Sequence, residues 1–195
     1  MTADNPGYQE FAGLKPPYRT IVADPPWEYE DGFVTRSRTP GKWQGPNLRY
    51  DLPYSSMPLF DILCLPVAVL ADRDCRLFLW ATNRYLPAAA GIMAAWGFRY
   101  RQTLTWHKLD ALGGSVAPNS EFLTVGTKGS PERLGRAASA VHAHAQAKTH
   151  STKPKLWGDL IEQVSPGPYV ELFARSPRLG WDSWGYGYES AGQSV

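Results

Sequence analysis

The sequence predicts a single α/β domain in which a mainly parallel β-sheet is flanked by helices. Short apolar runs rich in β-branched and aromatic residues alternate along the chain with segments of helical periodicity, which is the pattern of such a sheet. The 195 residues, 43% of them hydrophobic, are enough for one substantial core and leave little room for a second. We therefore expect an N-terminal extension over residues 1–17, one domain over residues 18–188 and a C-terminal tail over residues 189–195.

Five strands are predicted by runs that are apolar or that alternate between apolar and polar residues. They cover residues 19–23, 75–80, 100–106, 122–127 and 169–174, and the last of these is expected to be the final strand. Residues 129–149 carry little pattern and are expected to be variable or mobile. The segment over residues 181–188 is aromatic and glycine-rich and is expected to form a tail.

Three helices are predicted between these strands. One begins around residues 55–58, with serine as the cap and Pro58 in the first turn. An alanine-rich helix covers residues 86–96, and Gly97 is placed to end it. The third covers residues 155–164, because its apolar side chains recur on one helical face.

Composition limits the classes of function only weakly. The net charge of +2 is too small to indicate nucleic-acid binding by itself, whereas eight tryptophans are more than a core of this size needs and suit base stacking. Cys64 and Cys75 lack the spacing of a metal site, and Cys75 is expected to be a buried thiol because it opens an apolar run. No signal peptide or membrane-spanning stretch is visible, so we expect a soluble, cytoplasmic protein.

The tetrapeptide Asp24-Pro25-Pro26-Trp27 follows the first strand directly, at the sheet edge where ligands of α/β proteins bind. Two consecutive prolines make a rigid turn without N–H donors. The Asp24 carboxylate and the Pro25 carbonyl could each accept an N–H of an aromatic amino group, which would favour a tetrahedral nitrogen with its lone pair free for a methyl donor. Trp27 would stack on the base. The competing interpretation is a proline-rich turn with Trp27 in the core, and four residues alone do not decide between them.

A long glycine- and proline-containing loop, Gly32 to Arg49, leaves from the same edge and is predicted to grip nucleic acid. It carries basic residues for phosphates and an indole for stacking: Arg36, Arg38, Lys42, Arg49 and Trp43. The alternative is a disordered, solvated insertion.

An ordered series of further motifs makes the chain resemble the adenine-N6 methyltransferase family of the mRNA-methylating seventy-kilodalton subunit (MT-A type) and its bacterial and phage relatives. The arrangement is the β-type, in which the catalytic turn precedes the cofactor-binding half. The segments that carry the resemblance are Ala23-Asp24-Pro25-Pro26-Trp27, Leu52-Pro53-Tyr54 with Met57, Leu77-Phe78-Leu79-Trp80, Trp96-Gly97-Phe98, Trp106-His107-Lys108, Val125-Gly126-Thr127-Lys128-Gly129, Ser151-Thr152-Lys153-Pro154 and Glu171-Leu172-Phe173-Ala174-Arg175.

The resemblance implies a Rossmann-like, S-adenosyl-L-methionine-dependent methyltransferase fold and methylation of the N6 amino group of adenine. It places Asp24, Pro25 and Pro26 at the catalytic centre and Trp27 and Tyr54 against the adenine. It implies cofactor contacts from Asp24, Lys153, Phe173, Arg175 and Tyr186. Relatives often have an amide side chain where Tyr186 stands, which puts that last contact in doubt.

Several alternatives stay open at this point. We expect DNA as the substrate because the chain is short and lacks added RNA-binding modules, but RNA is the alternative, and the acidic turn also suits N4 of cytosine. A non-catalytic nucleic-acid-binding subunit is a further alternative, disfavoured by the intact Asp24 and Trp27. His142 and His144 lack further ligands, so no metal site is predicted. The sequence does not decide between a monomer and a homodimer.

Overall fold

One seven-stranded sheet organises the part of the chain that the computed structural model describes, namely residues 11–28, 56–109, 119–136, 139–144 and 153–185. The strands lie in the order β5-β3-β4-β2-β1-β6-β7. Their bounds are β1 Tyr18–Ala23, β2 Ala71–Thr82, β3 Arg99–Lys108, β4 Ser120–Lys128, β5 Val141–His144, β6 Tyr169–Leu172 and β7 Trp181–Trp184. The helices are α1 Leu59–Cys64, α2 Leu86–Ala95 and α3 Leu156–Val164, with a short 3₁₀ turn at Val67–Val69.

The sheet is mainly parallel, as predicted. Four neighbouring pairs are parallel: β1 with β2, β1 with β6, β6 with β7 and β3 with β5. Among the described strands, only β4 is antiparallel to its neighbours. It follows β3 in the chain and lies between β3 and β2 in the sheet. The predicted α/β class with a single mainly parallel sheet is therefore confirmed.

Alternating side chains of the central strands fill two cores, one on each face of the sheet. On one face, Ile21 and Leu77 pack with Ile62 of α1 and Ile92 of α2. On the opposite face, the alternate side chains of the same strands pack against α3. This second core includes Val22, Phe78, Trp80, Trp157, Leu160 and Ile161. Helices on both faces explain why β1 and the middle of β2 are almost continuously apolar.

The first helix begins later than predicted, and the serine cap is wrong. The helix starts at Leu59, its cap position is Pro58, and no side chain makes a capping hydrogen bond. Met57 is held in an extended conformation by its pairing with Trp27, so the chain cannot turn into a helix before Pro58. The other two helices match their predictions within one residue, and Gly97 ends α2 with φ 82°.

Two edge strands were not predicted. The strand β5 lies within the stretch expected to be unpatterned and variable, and β7 follows the strand expected to be the last. Both have four residues and depend on pairing with a single neighbour, β3 or β6, so their local pattern is weak. The strand β6 also ends two residues earlier than predicted, because Phe173 adopts φ 64° and breaks the extended backbone.

Cys75 is fully buried, as expected, and burial raises the pKa of its thiol to about 12. Within the described residues, no helix has the length and apolar character needed to cross a membrane.

Candidate active site

Charged side chains from four strands meet at one edge of the sheet. The register places the end of β1, at Ala23, beside Leu172 of β6. Because β4 is antiparallel, its first residues lie at this same edge, with Glu121 opposite Thr82 of β2 and Trp106 of β3. The carboxyl end of the parallel strands is where α/β folds bind ligands, so this edge is the candidate site.

Asp24 is the first residue beyond β1 and is only 9% exposed. Its Oδ2 lies 2.8 Å from Nζ of Lys153 and 3.6 Å from Nη2 of Arg175. Its backbone N–H donates to the carbonyl of Leu172 at 3.3 Å, which ties the turn to β6. A buried carboxylate requires such partners, and Lys153 and Arg175 supply them and hold the Asp24 side chain in place.

Alternating charges continue from Asp24 along the edge. Nζ of Lys153 also lies 3.2 Å from Oε2 of Glu121, whose other oxygen pairs with Lys108. Burial raises the pKa of Glu121, but the charges of Lys153 and Lys108 outweigh it and hold the pKa below its usual value. Likewise, burial lowers the pKa of Lys153, but Asp24 and Glu121 hold it above its usual value. Acidic and basic side chains therefore alternate along a row of four residues, namely Asp24, Lys153, Glu121 and Lys108.

Two of these cations also lie against indole rings. Nζ of Lys153 lies 5.0 Å from the ring centre of Trp80, and Nζ of Lys108 lies 5.1 Å from that of Trp106. Both rings belong to the core on the α3 face. The aromatic walls exclude water on that side and fix the lysines within reach of the carboxylates.

Glu171 of β6 is a third carboxyl group near the edge. Burial, and then the negative charge of Asp24, raise its pKa from 4.5 to about 7. Asp24 and Glu171 therefore differ in environment, because Asp24 has direct cationic partners and the pKa of Glu171 is raised by burial. A carboxyl group with a raised pKa is frequent at functional sites.

The Pro25-Pro26-Trp27 turn is held by its own hydrogen bonds. The carbonyl of Pro25 accepts the N–H of Trp27 at 2.9 Å, and the carbonyl of Pro26 accepts the N–H of Met57 at 2.8 Å. The Trp27 ring is 5% exposed and stacks on Tyr85, with centroids 4.5 Å apart and planes 16° apart. Trp27 is thus stacked on a residue of the protein itself and belongs to the core on the α1 and α2 face.

The backbone turns sharply where β6 ends. Phe173 adopts φ 64°, a conformation costly for a side chain of this size and typical of ligand-binding turns. Its ring packs edge-to-face on Trp184 at 5.3 Å, and the N–H of Ala174 donates to the carbonyl of Trp184 at 3.0 Å. A Cβ on Gly185 would lie 2.5 Å from the carbonyl oxygen of Ala174. The turn therefore makes a close cradle of backbone that only glycine permits.

The structure brings the described candidate residues to this one edge: Asp24, Pro25, Pro26, Trp27, Lys153, Phe173 and Arg175. The whole predicted nucleic-acid-binding loop lies outside the described residues. So do all the other candidates, which are Arg36, Arg38, Lys42, Trp43, Arg49, Tyr54 and Tyr186. His142 lies on β5, where its ring contacts Trp157 at 5.0 Å and Nε2 lies 2.9 Å from the carbonyl of Ser139.

Sequence reasoning missed part of the charged edge. Glu121 was not singled out, and Lys108 and Glu171 were noted only within longer motifs. The available signal was a charged residue near the end of a strand, as at Glu121 and Lys108. That signal is weak, because strand ends usually carry solvated charges.

Comparison with known proteins identifies the family. The model described as MT-A70 matches residues 18–187, which is nearly the whole predicted domain. The chain belongs to the MT-A70 family. The resemblance inferred from the motifs is thereby confirmed.

Relatives of this MT-A70 chain differ in how much of their length it covers. It is 29% identical over 198 residues to the Type II methyltransferase M.MunI of Mycoplasma sp, covering 94% of this chain and 84% of that protein. It is 26% identical over 168 residues to the human N(6)-adenosine-methyltransferase catalytic subunit METTL3, covering 81% of this chain and 26% of that protein. Identity to the human N(6)-adenine-specific methyltransferase METTL4 is 26% over 198 residues, covering 91% and 39%.

Proposed function

We propose that this chain transfers a methyl group from S-adenosyl-L-methionine to the N6 amino group of adenine in DNA. The observation that carries the proposal is the buried Asp24 carboxylate, which is held at the carboxyl edge of the sheet by Lys153 and Arg175. Membership of the MT-A70 family supports it, as do relatives whose names specify N(6)-adenine or N(6)-adenosine methylation.

Asp24 and the Pro25 carbonyl would orient the target amino group. Both ion pairs of Asp24 use Oδ2, so within the described part of the chain Oδ1 is the oxygen left to accept an N–H. The Pro25 carbonyl already accepts the N–H of Trp27, and a carbonyl oxygen has a second lone pair for another donor. Two acceptors on one nitrogen favour a tetrahedral geometry, whose lone pair is then available for bond formation.

The turn after β6 fits the proposed cofactor. Arg175 and Lys153 supply cations for a carboxylate or ribose hydroxyls. Phe173 offers a ring at the same turn. When bound, S-adenosyl-L-methionine supplies a methyl group made electrophilic by the sulfonium. The residues of this chain bind it and orient the nucleophile, and Tyr186 stays a proposed contact.

Pro26 and Trp27 would act by keeping the turn rigid. The Pro26 carbonyl is used by Met57, and the Trp27 ring is covered by Tyr85. The proposed contact of Trp27 with adenine is then an edge contact or follows a rearrangement of Tyr85. Substrate contacts from Arg36, Arg38, Lys42, Trp43 and Tyr54 remain predictions from sequence.

DNA is proposed over RNA because the alignment with M.MunI extends over most of both proteins, whereas the chain spans about a quarter of METTL3. A non-catalytic subunit is the second candidate. It would not need the buried pairing of Asp24 with Lys153, and it would not be expected to bind S-adenosyl-L-methionine.

The proposal is tested by methylation assays with labelled S-adenosyl-L-methionine on duplex DNA, single-stranded DNA and RNA, followed by mass spectrometry of the nucleosides. We expect N6-methyladenine in DNA from the unaltered chain. Asp24→Asn keeps the size of the side chain but removes its charge, and we expect a rate loss of at least about a hundredfold. Asp61→Asn, in the exposed first turn of α1, is the matched control and should leave the rate unchanged.

Thermal unfolding of each variant shows whether lost activity reflects lost folding. Near-normal turnover by folded Asp24→Asn would contradict the catalytic assignment. N4-methylcytosine as the product would contradict the assignment of adenine as the methylated base. Methylation of RNA alone would contradict the preference for DNA. Failure to bind the cofactor would favour the non-catalytic subunit.

A further inference from the structure

A second cavity lies on the α3 face of the sheet, away from the charged edge. Its volume is about 570 Å³, and β2, β3 and β4 form its floor, with α3 on one side. The other side is lined by Arg133, Gly135, Arg136, Ser139 and Ala140. Arg76 of β2, which lines it, is six residues from Thr82 at the catalytic edge. At about 3.3 Å per residue, the two regions are about 20 Å apart along the strand.

Four arginines line this cavity: Arg76, Arg101, Arg133 and Arg136. None of the described residues that line it is acidic. The carboxylate of the adjacent Glu132 pairs instead with Arg19 at 2.6 Å. The cavity therefore concentrates positive charge without an internal counter-ion, an arrangement that attracts anions.

Two of the arginines are fixed in position by the protein. Arg76 donates to the carbonyls of Val164 at 3.0 Å and Glu132 at 3.2 Å. These two hydrogen bonds join the end of α3 to the segment around Glu132. Arg101 donates from Nε to the hydroxyl of Thr127 at 2.7 Å. Burial lowers the pKa of Arg76, and the nearby charge of Arg133 acts in the same direction. Arg133 and Arg136 are exposed at the rim, where they can move toward a ligand.

The rest of the lining is mainly apolar. The floor and the α3 wall are formed by Phe78, Leu104, Val125, Leu160 and Val164. Gln102, Thr127 and Ser139 add polar groups to the lining. A ligand that matches all of this has a flat apolar body, a few polar edge atoms and an anionic group.

We propose that this cavity is a second binding site that takes a nucleoside phosphate. The base lies on the apolar floor, and Arg133 and Arg136 bind the phosphate together with Arg101. The chemistry is the same whether the nucleoside phosphate is a free nucleotide or one unit of a nucleic-acid strand. Only the second source rests on the proposed function, since the strand would then also reach the catalytic edge.

Binding of two probes tests the site and separates the sources. The probes are adenosine monophosphate, followed by calorimetry, and a fluorescein-labelled single-stranded DNA twelve-mer, followed by anisotropy. Arg133→Ala and Arg136→Ala should each weaken binding of at least one probe about fivefold or more. For the twelve-mer, each should also reduce the logarithmic salt slope by about one unit. Weaker binding of adenosine monophosphate identifies a free nucleotide, and an effect on the twelve-mer alone identifies the strand.

Arg73→Ala is the matched control, because it removes the same charge from a side chain that is 90% exposed and does not line the cavity. We expect it to change either affinity by less than about twofold. Neither binding measurement depends on methyl transfer, so the site can be established even if no methyl transfer is found. If Arg133→Ala and Arg136→Ala bind both probes as Arg73→Ala does, the proposal is wrong.

Discussion

At the scale of single residues, Glu171 shows how the site makes stability depend on pH. Its pKa is raised by burial and by Asp24 to about 7, above the 4.5 of an exposed carboxyl. The folded state therefore binds this proton more tightly than the unfolded state. The stabilisation from that proton is complete below about pH 4.5 and is lost as the pH rises through about 7.

Glu171→Gln should therefore remove a fall in stability over this range, since glutamine mimics the neutral carboxyl. We expect the melting temperature of Glu171→Gln, relative to the unaltered chain, to increase as the pH is raised from about 5 to about 8. The measurement is thermal unfolding at a series of pH values in one ionic strength. A difference that is independent of pH would contradict the raised pKa.

Glu162→Gln is a control of the opposite sign. Hydrogen bonds from Arg178 lower the pKa of Glu162, so its stabilisation is present at neutral pH and is lost on acidification. Glu162→Gln should lower the melting temperature near neutrality, and its effect should shrink as the solution becomes acidic.

At the scale of secondary-structure elements, the packing of the turn after β6 against the end of β7 depends on one glycine, Gly185. A Cβ on Gly185 would lie 2.5 Å from the carbonyl oxygen of Ala174 and 2.6 Å from its nitrogen. Both are backbone atoms, so the turn that carries Phe173 would have to move.

Gly185→Ala should destabilise the fold by about 1–3 kcal/mol, the usual range for overpacking. By displacing the turn that carries Phe173, it should also weaken S-adenosyl-L-methionine binding. Gly91→Ala is the control, because nothing lies within 4 Å of its added Cβ and it lies within α2. That variant should gain up to about 1 kcal/mol from helix propensity. Urea unfolding measures both, and equal stabilities would refute the close approach.

At the scale of the whole molecule, the first and last described segments meet. Phe11 is buried and packs edge-on against Trp184 of β7, with ring centroids 5.0 Å apart. Trp184 in turn contacts Phe173. The N-terminal segment, which precedes the first strand, therefore contacts the turn at Phe173 through Trp184.

Phe11→Ala should lower the free energy of unfolding by about 3–5 kcal/mol, because it removes a buried ring and leaves a cavity. Phe60→Ala, at a side chain in α1 that is 72% exposed, should change it by less than about 0.5 kcal/mol. Urea unfolding followed by tryptophan fluorescence compares them. If the two variants unfolded alike, the N-terminal segment would not belong to the cooperative unit.

The α/β class, the strands β1 to β4 and β6, the end of α2 at Gly97 and the family could all be predicted from the sequence. These features are local: apolar periodicity, a glycine with positive φ and short motifs in a set order are all written in consecutive residues. The position of Asp24 at a strand end belongs with them, since a buried run followed by two prolines has few other interpretations.

The edge strands, the conformation of Met57 and the charged side chains at the site depend on contacts between distant parts of the chain. The edge strands β5 and β7 exist because β3 and β6 offer them partners, and Met57 is extended because Trp27 pairs with it. The charged chain from Asp24 through Lys153 to Glu121 joins residues far apart in the sequence. Whether a charged or aromatic side chain is solvated or buried depends on which distant strands lie beside it, and local sequence pattern does not encode those neighbours.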